Sequence, residues 1–168
     1  MDRQELRELQ EPLKARYRDE PGSAVVTLRA EGSLGEGITC KVATGQALAE
    51  AGLHPASGGD GSALCSGDML LEALAACAGV TLRAVATSLE MEVRGGTVRA
   101  EGDLDFRGTL SVDKAAPVGF REIRLEFDLD TDEPADRVAT LIRLTERYCV
   151  VLQTIAVPPR ISVGSRGQ

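Results

Sequence analysis

Residues 66–91 read SGDMLLEALAACAGVTLRAVATSLEM, a long apolar run whose pattern turns helical at Gly67 or Asp68 and holds to about Met91. Ser66 or Asp68 is suited to cap its start, and Glu72 falls in the early turns. Counting from Leu70, the residues Leu74, Cys77, Thr81 and Val85 recur at helical spacing, which points Cys77 toward the core. A helix this apolar needs cover on most of its sides, which a partner subunit could supply. A second helical pattern surrounds ERYCVVLQTI at 146–155. There Ile142, Thr145, Cys149 and Leu152 share a face if the helix runs unbroken through Tyr148. Taken singly, each cysteine reads as packing, because free cysteine is among the most buried residue types and behaves as a small hydrophobe.

A chain of 168 residues makes about one domain, large enough for a core without metal or disulfide staples. Its apolar and charged fractions, 43% and 27%, are those of a protein that folds in water. Glu72, Arg83 and Arg147 interrupt the apolar stretches short of the roughly 18 residues that a membrane span needs, so no membrane association is expected. The opening MDRQELRELQEPLKARYRDE is charged throughout and does not read as a signal peptide. With four cysteines at 40, 65, 77 and 149 and no export signal, the expected compartment is the cytoplasm, where thiols stay reduced unless they are catalytic or redox-sensing. The net charge of −7, with basic residues scattered among acids, lacks the footprint that phosphates demand. Five aromatic rings in all, none of them tryptophan, make no base-stacking platform, so nucleic acid is not an expected partner.

Before the apolar helix, residues 2–17 pattern as an amphipathic helix with Leu6, Leu9, Leu13 and Tyr17 on one side. Pro12 marks a possible kink, and Glu-Pro-Gly at 20–22 marks the stop. SAVVTLRAEG and GITCKVATG are short β-rich runs around the glycine-rich EGSLGEG, the pattern of a hairpin. Cys40 lies in its second strand on a face with Ile38 and Val42, as a packed thiol would. Residues 53–66, LHPASGGDGSALCS, form a long loop carrying His54, the one histidine, and Cys65. After the apolar helix come EVRGGTVRAEGDLDFRGTL, SVDKAAPVGF and REIRLEFDLDTD. Val98, Ala100, Gly102, Leu104 and Phe106 alternate with polar partners, as do Ile123, Leu125, Phe127 and Leu129, the pattern of half-buried antiparallel strands. In DFRGTLSVDKAAPVGF the glycines sit at turn positions, a structural use. A helix begins near Pro134 with Asp132 as cap, and PPRISVG closes as a short strand. Strands and helices fall in separate blocks, which argues for an α+β fold, with the sheets wrapped around the helices.

Rival cysteine chemistries fit poorly. Structural zinc wants close thiolate pairs, whereas the four cysteines are 25, 12 and 72 residues apart with a single histidine. Neither a metal nor a cofactor is expected. A papain-like hydrolase would have His54 alone as its base, in a turn where a histidine is more often solvated. No Cys-x-x-Cys redox motif occurs. What is left is a pair of remote cysteines that could meet if their helices pack together.

The run CSGDMLLEALAACAGVTLRAVA resembles the first signature of the OsmC/Ohr superfamily, in which a helix start led by proline or glycine and containing an acid leads through small and leucine residues to a cysteine. ERYCVVLQT resembles the second signature, a later cysteine in a helical segment before a final strand. The GGDG before the first helix, the strand order and the long cysteine spacing agree. The resemblance covers most of residues 23–164. It divides the chain into an N-terminal helical extension, 1–22, and an OsmC-like domain, 23–168.

The resemblance implies an α+β OsmC-like fold, with antiparallel sheets wrapped around two central helices in an intertwined homodimer. It also implies a thiol peroxidase acting on small organic hydroperoxides in oxidative-stress resistance. By motif position Cys77 is the peroxidatic cysteine and Cys149 the resolving one, passing through a sulfenic acid to a disulfide that an external dithiol reductant resets. Peroxidase members place an arginine, held by an acid, beside the reactive thiol. Here the first hairpin turn, AEGSLGEG, contains no arginine. Arg29 on the preceding strand is the nearest substitute and Asp68 occupies the approximate acid slot, while Arg83 or Arg147 are alternatives. Val150 stands where many relatives carry proline. Cys65 is a third candidate thiol, either a loop residue at a pocket mouth or a partner for Cys77. The second functional reading is an OsmC-like dimer without peroxidase activity that binds an apolar small molecule, its cysteines structural or redox-sensing.

Overall fold

The computed structural model describes residues 3–34, 40–42, 51–62 and 64–164, with the backbone alone for 3–7, 9, 28–30, 32, 34, 40–42 and 51. Alternating apolar residues in the strand blocks give four antiparallel strands, β1 (Val25–Leu34), β2 (Cys40–Val42), β5 (Gly95–Asp105) and β6 (Phe120–Asp130). They form one sheet in the order β2-β1-β5-β6. Between β2 and the first long helix, β3 (Ala51–Gly52) and β4 (Leu64–Cys65) make a short parallel pair. The helices are α1 (Arg3–Asp19), α2 (Ser66–Ser88), the single turn α3 (Phe106–Thr109), α4 (Ala135–Tyr148) and α5 (Val150–Ala156). Antiparallel strands with helices segregated from them make this an α+β fold.

The core lies where α2 crosses β1 and β5. Val98 and Ala100 of β5 meet Leu71, Leu74, Ala75 and Ala78 of α2, all fully buried, with Ile123, Leu125 and Phe127 of β6 packed alongside. The alternate residues carry charge on the opposite side of the sheet. Arg124 reaches Asp103 at 2.9 Å and Glu101 at 3.5 Å, and Arg99 reaches Glu31 at 3.1 Å. Gly102 matters here because a Cβ at that position would stand 2.5 Å from the Phe120 ring. Its bare backbone lets Phe120 lie across the sheet. A second core joins Leu82, Ala86, Met91 and Val93 to Leu141 of α4.

The buried stripe of α2 is rotated from the one expected. It runs through Leu71, Leu74, Ala75, Ala78, Leu82 and Ala86, while Leu70 and Val80 are more than a third exposed and Cys77 lies on the flank, half-buried. With apolar residues on nearly every side of the helix, periodicity could not set its phase. The sheet settles on the side where Leu71 and Leu74 interleave with Ala75 and Ala78. By length and composition α2 could cross a membrane, contrary to the reading that charges interrupt it too soon, yet this is the helix against which the sheet packs.

Other expectations shift as well. α1 continues through Pro12. The hairpin pairs Gly32 with Val42 and Leu34 with Cys40, while its turn at 35–39 lies outside the described residues. The N-cap of α2 is Cys65, with no side-chain cap bond, in place of Ser66 or Asp68. At α4 the cap is Pro134, because Asp132 is drawn to Arg94 at 2.6 Å. SVDKAAPVGF is no strand: Gly108 of α3 packs so tightly under Ala116 and Pro117 that a Cβ would stand 2.3 Å from the Pro117 carbonyl oxygen. PPRISVG also forms no strand, since two consecutive prolines offer no N–H to a ladder.

α1 is fastened to the body by Tyr17, which is fully buried against Ala24, Phe106 and Leu110. Its hydroxyl donates to the Ala56 carbonyl at 2.6 Å, and Gln10 Nε2 donates to the Ser57 carbonyl at 3.2 Å. Both bonds fix the 3-10 turn at Pro55–Ser57.

Candidate functional site

Cys149 sits at a break. α4 ends at Tyr148, Cys149 takes an extended conformation (φ −70°, ψ 107°), and α5 restarts at Val150. The helix therefore does not run unbroken through Tyr148. The ends remain bonded: Cys149 N–H donates to the Thr145 carbonyl at 2.9 Å, Gln153 N–H to the Cys149 carbonyl at 2.9 Å, and Gln153 Nε2 to the Glu146 carbonyl at 2.8 Å. The break turns Cys149 wholly into the core while Val150 stays 71% exposed. It also frees the first N–H groups of α5 from intrahelical partners.

Those groups meet Cys77. The N–H groups of Val151 and Val150, the Cys149 thiol and the Thr81 hydroxyl lie close enough to its sulfur to favour the ionised form. Burial raises the Cys77 thiol, but these donors outweigh it and the net shift is below the ordinary thiol value. Cys149 moves the other way. Burial, opposed by the Leu152 N–H and reinforced by the hydrogen bond to Cys77 and the charge there, pushes its thiol up to about 11. Two adjacent thiols thus divide into one that ionises readily and one that holds its proton. Both are free thiols.

The remaining candidates lie elsewhere. Asp68, in the first turn of α2, is nine residues before Cys77, about 13 Å along a helix axis at 1.5 Å per residue. Burial raises its carboxyl, and the nearby His54 partly offsets that. Arg29 is paired across the sheet with Glu101, on the register row that alternates with Val98 and Ala100; its side chain lies outside the described residues. Arg83 donates to the Val93 carbonyl, and Arg147 stacks over the Tyr148 ring at 5.5 Å. Among the described residues no cation contributes to the downward shift of Cys77.

Cys65 cannot pair with Cys77 in the same chain, because twelve residues of helix separate them by about 18 Å and a disulfide needs Cα atoms within about 7 Å. It instead lines a cavity of about 410 Å³ with His54, Leu70, Leu104, Phe106 and Phe120. His54 serves structure there. Its Nδ1 accepts from the Ala56 N–H at 3.0 Å and its ring stacks on Phe106 at 5.0 Å. It is no base for Cys77. The Cys40 side chain lies outside the described residues. Among those residues no three His, Cys, Asp or Glu side chains gather as a metal site.

A larger groove of about 870 Å³ adjoins the first at Leu70 and Phe120, and is walled by Ile123, Leu125, Leu152 and Ile155. Leu125, Leu152 and Ile155 belong to the same apolar cluster as Cys77. Sequence reasoning missed Thr81 and the N–H groups of Val150 and Val151 as partners of Cys77. Thr81 was visible four residues from Cys77, whereas the N–H groups carry no side-chain signal and appear only once the helix breaks.

A family model described as OsmC-like protein matches residues 59–164, well over half of the chain. No curated protein matches the sequence. Among solved structures, an OsmC-like hydroperoxide resistance protein from Jannaschia sp. CCS1 is similar with a TM-score of 0.59 and 21% identity, over 85% of this chain and 97% of that one. At that identity the likeness concerns the fold.

Proposed function

On the premise that this chain belongs to the OsmC-like family, we propose that it is a thiol peroxidase that reduces small organic hydroperoxides. The observation that carries this reading is that Cys77 and Cys149 pack in one apolar cluster with their acidities shifted in opposite directions. Cys77, as thiolate, attacks the terminal peroxide oxygen. The O–O bond breaks, the alkoxide takes a proton and leaves as the alcohol, and Cys77 becomes a sulfenic acid. That step also removes the negative charge beside Cys149. The Cys149 thiol, held protonated in part by that charge, then loses its proton more easily and attacks the sulfenic sulfur, forming the disulfide and releasing water. An external dithiol supplies the two electrons that restore both thiols.

The apolar setting of Cys77 supports organic hydroperoxides over hydrogen peroxide, since an alkyl group gains by leaving water. Asp68 and Arg29 enter as proposed contributors through a second subunit. In an intertwined homodimer, with sheets wrapped around paired α2 helices, the partner would cover Leu70 and Val80 and could bring charge toward Cys77. A thiol-reducing cytoplasm suits the cycle. The test is consumption of cumene hydroperoxide with dihydrolipoamide as reductant. Turnover faster than with hydrogen peroxide, and abolished in Cys77→Ser, is expected; unchanged turnover in Cys77→Ser would refute the assignment.

The groove beside Leu152 and Ile155 favours a second reading, a dimer that binds an apolar small molecule with its thiols redox-sensing. Absence of any peroxide turnover together with saturable binding of an apolar fluorescent probe would select it.

A further inference from the structure

We propose that Gln153 is a positioning residue for Cys149: its side-chain amide holds open the helix break that turns the Cys149 thiol into the cluster around Cys77. Sharp interruptions of a helix ordinarily occur at proline, at glycine or where a side chain enters the ladder of backbone hydrogen bonds. Residues 146–155, ERYCVVLQTI, contain neither proline nor glycine, so the break at Cys149 calls for the third cause. In a continuous helix the Glu146 carbonyl would accept from the N–H four residues on, that of Val150. Here it accepts from Gln153 Nε2 at 2.8 Å, and Val150 begins a new helix. The backbone bonds on either side keep helical spacing, Cys149 N–H to the Thr145 carbonyl and Gln153 N–H to the Cys149 carbonyl, each at 2.9 Å. The interruption is confined to the rungs between them, and the Gln153 amide occupies the acceptor that a straight helix would use. Val150 and Val151, whose β-branched side chains favour helix less than straight-chain residues do, lower the cost of leaving those rungs open. The broken conformer is the one in which Cys149 is fully buried in the same apolar cluster as Cys77. Gln153 itself is exposed and acts through the backbone that carries Cys149.

The inference rests on Cys77 and Cys149 acting as one redox pair, but its test does not require peroxide turnover. The protein is equilibrated in glutathione redox buffers, where oxidised glutathione takes two electrons and two protons from the thiols and becomes two molecules of reduced glutathione as the Cys77–Cys149 bond forms. Acid quenching and mass-spectrometric mapping give the equilibrium constant of that disulfide. Gln153→Leu keeps a helix-favouring side chain of similar bulk and removes the donor; Gln153→Lys restores a donor to the last carbonyls of α4. A neutral hydrogen bond corresponds to a factor of about two to ten in an equilibrium, and the disulfide constant scales with the fraction of protein in the broken conformer. The constant is expected to fall about two- to tenfold in Gln153→Leu and to stay near wild type in Gln153→Lys. A wild-type value in Gln153→Leu, an equal fall in both variants, or no Cys77–Cys149 disulfide in the wild type would overturn the inference. The expected pattern in a protein that consumes no hydroperoxide would uphold Gln153 and refute the peroxidase reading.

Discussion

Removing the Cys77 charge should make Cys149 more acidic, and the effect is large enough to follow residue by residue. With the Cys149 thiol pushed up to about 11 from the ordinary 9.0, about one part in ten thousand is ionised at pH 7, against about 1% for an ordinary thiol. Native Cys149 should therefore alkylate roughly 100-fold more slowly than the same residue in the chain unfolded by urea, by the ratio of those fractions. Poor access to a fully buried sulfur would slow it too, so the pH profile is the decisive readout. Access scales the rate at every pH, whereas acidity sets where the rate levels off. Iodoacetamide pulses from pH 6 to 11, resolved at Cys149 by mass spectrometry, should show a rate still rising steeply at pH 10, where an ordinary thiol is nearly fully ionised. In Cys77→Ser the hydrogen bond to the thiolate and its charge are both gone, so the profile should move to lower pH, with burial keeping it above the ordinary thiol. A plateau reached by about pH 10 in the wild type, or an identical profile in Cys77→Ser, would refute the coupling.

The same thiol links stability to pH. Its folded value of about 11 exceeds the ordinary 9.0, so the native state holds the proton longer. The stabilisation is full below pH 9 and is lost as pH rises toward 11. Relative to Cys149→Ser, urea unfolding of the reduced wild type should lose about 2–3 kcal/mol across that window; parallel curves would contradict it. Leu74→Ala, at a fully buried position between α2 and the sheet, should cost about 2–5 kcal/mol in the same assay. Tyr17→Phe leaves the Ala56 carbonyl without its 2.6 Å donor and should cost about 1–2 kcal/mol. Amide exchange should then be faster around residues 54–58 while Cys77 alkylation is unchanged. Gly102→Ala sets a Cβ against the Phe120 ring, and the overpacking should cost about 1–3 kcal/mol.

Sequence pattern carried the α+β class, the β1–β2 hairpin, strands β5 and β6 and the existence of α2 and α4, because each rests on periodicity or turn chemistry local to its segment. The family was legible in two cysteine motifs 72 residues apart. The phase of α2 was not, since a helix apolar on nearly every side lets the sheet choose its face. The break at Cys149 was missed for a related reason: Tyr148–Leu152 is apolar enough to continue a helix, and the Gln153 side chain that bonds back to Glu146 is visible only in three dimensions. Asp132 offered a good cap, but Arg94 lies 38 residues away in sequence and claimed it. The meeting of Cys77 with Cys149 was conditional on helix packing that no local pattern encodes.

The central claim is that Cys77 and Cys149 form one redox pair. Treating the fully reduced protein with one equivalent of cumene hydroperoxide, quenching with acid and mapping the cysteines by mass spectrometry tests it most directly. The account requires a Cys77–Cys149 disulfide in the wild type, and in Cys149→Ser a Cys77 sulfenic acid that dimedone captures. A wild-type protein that leaves both thiols reduced, or that oxidises Cys65 in preference to Cys77, would contradict it.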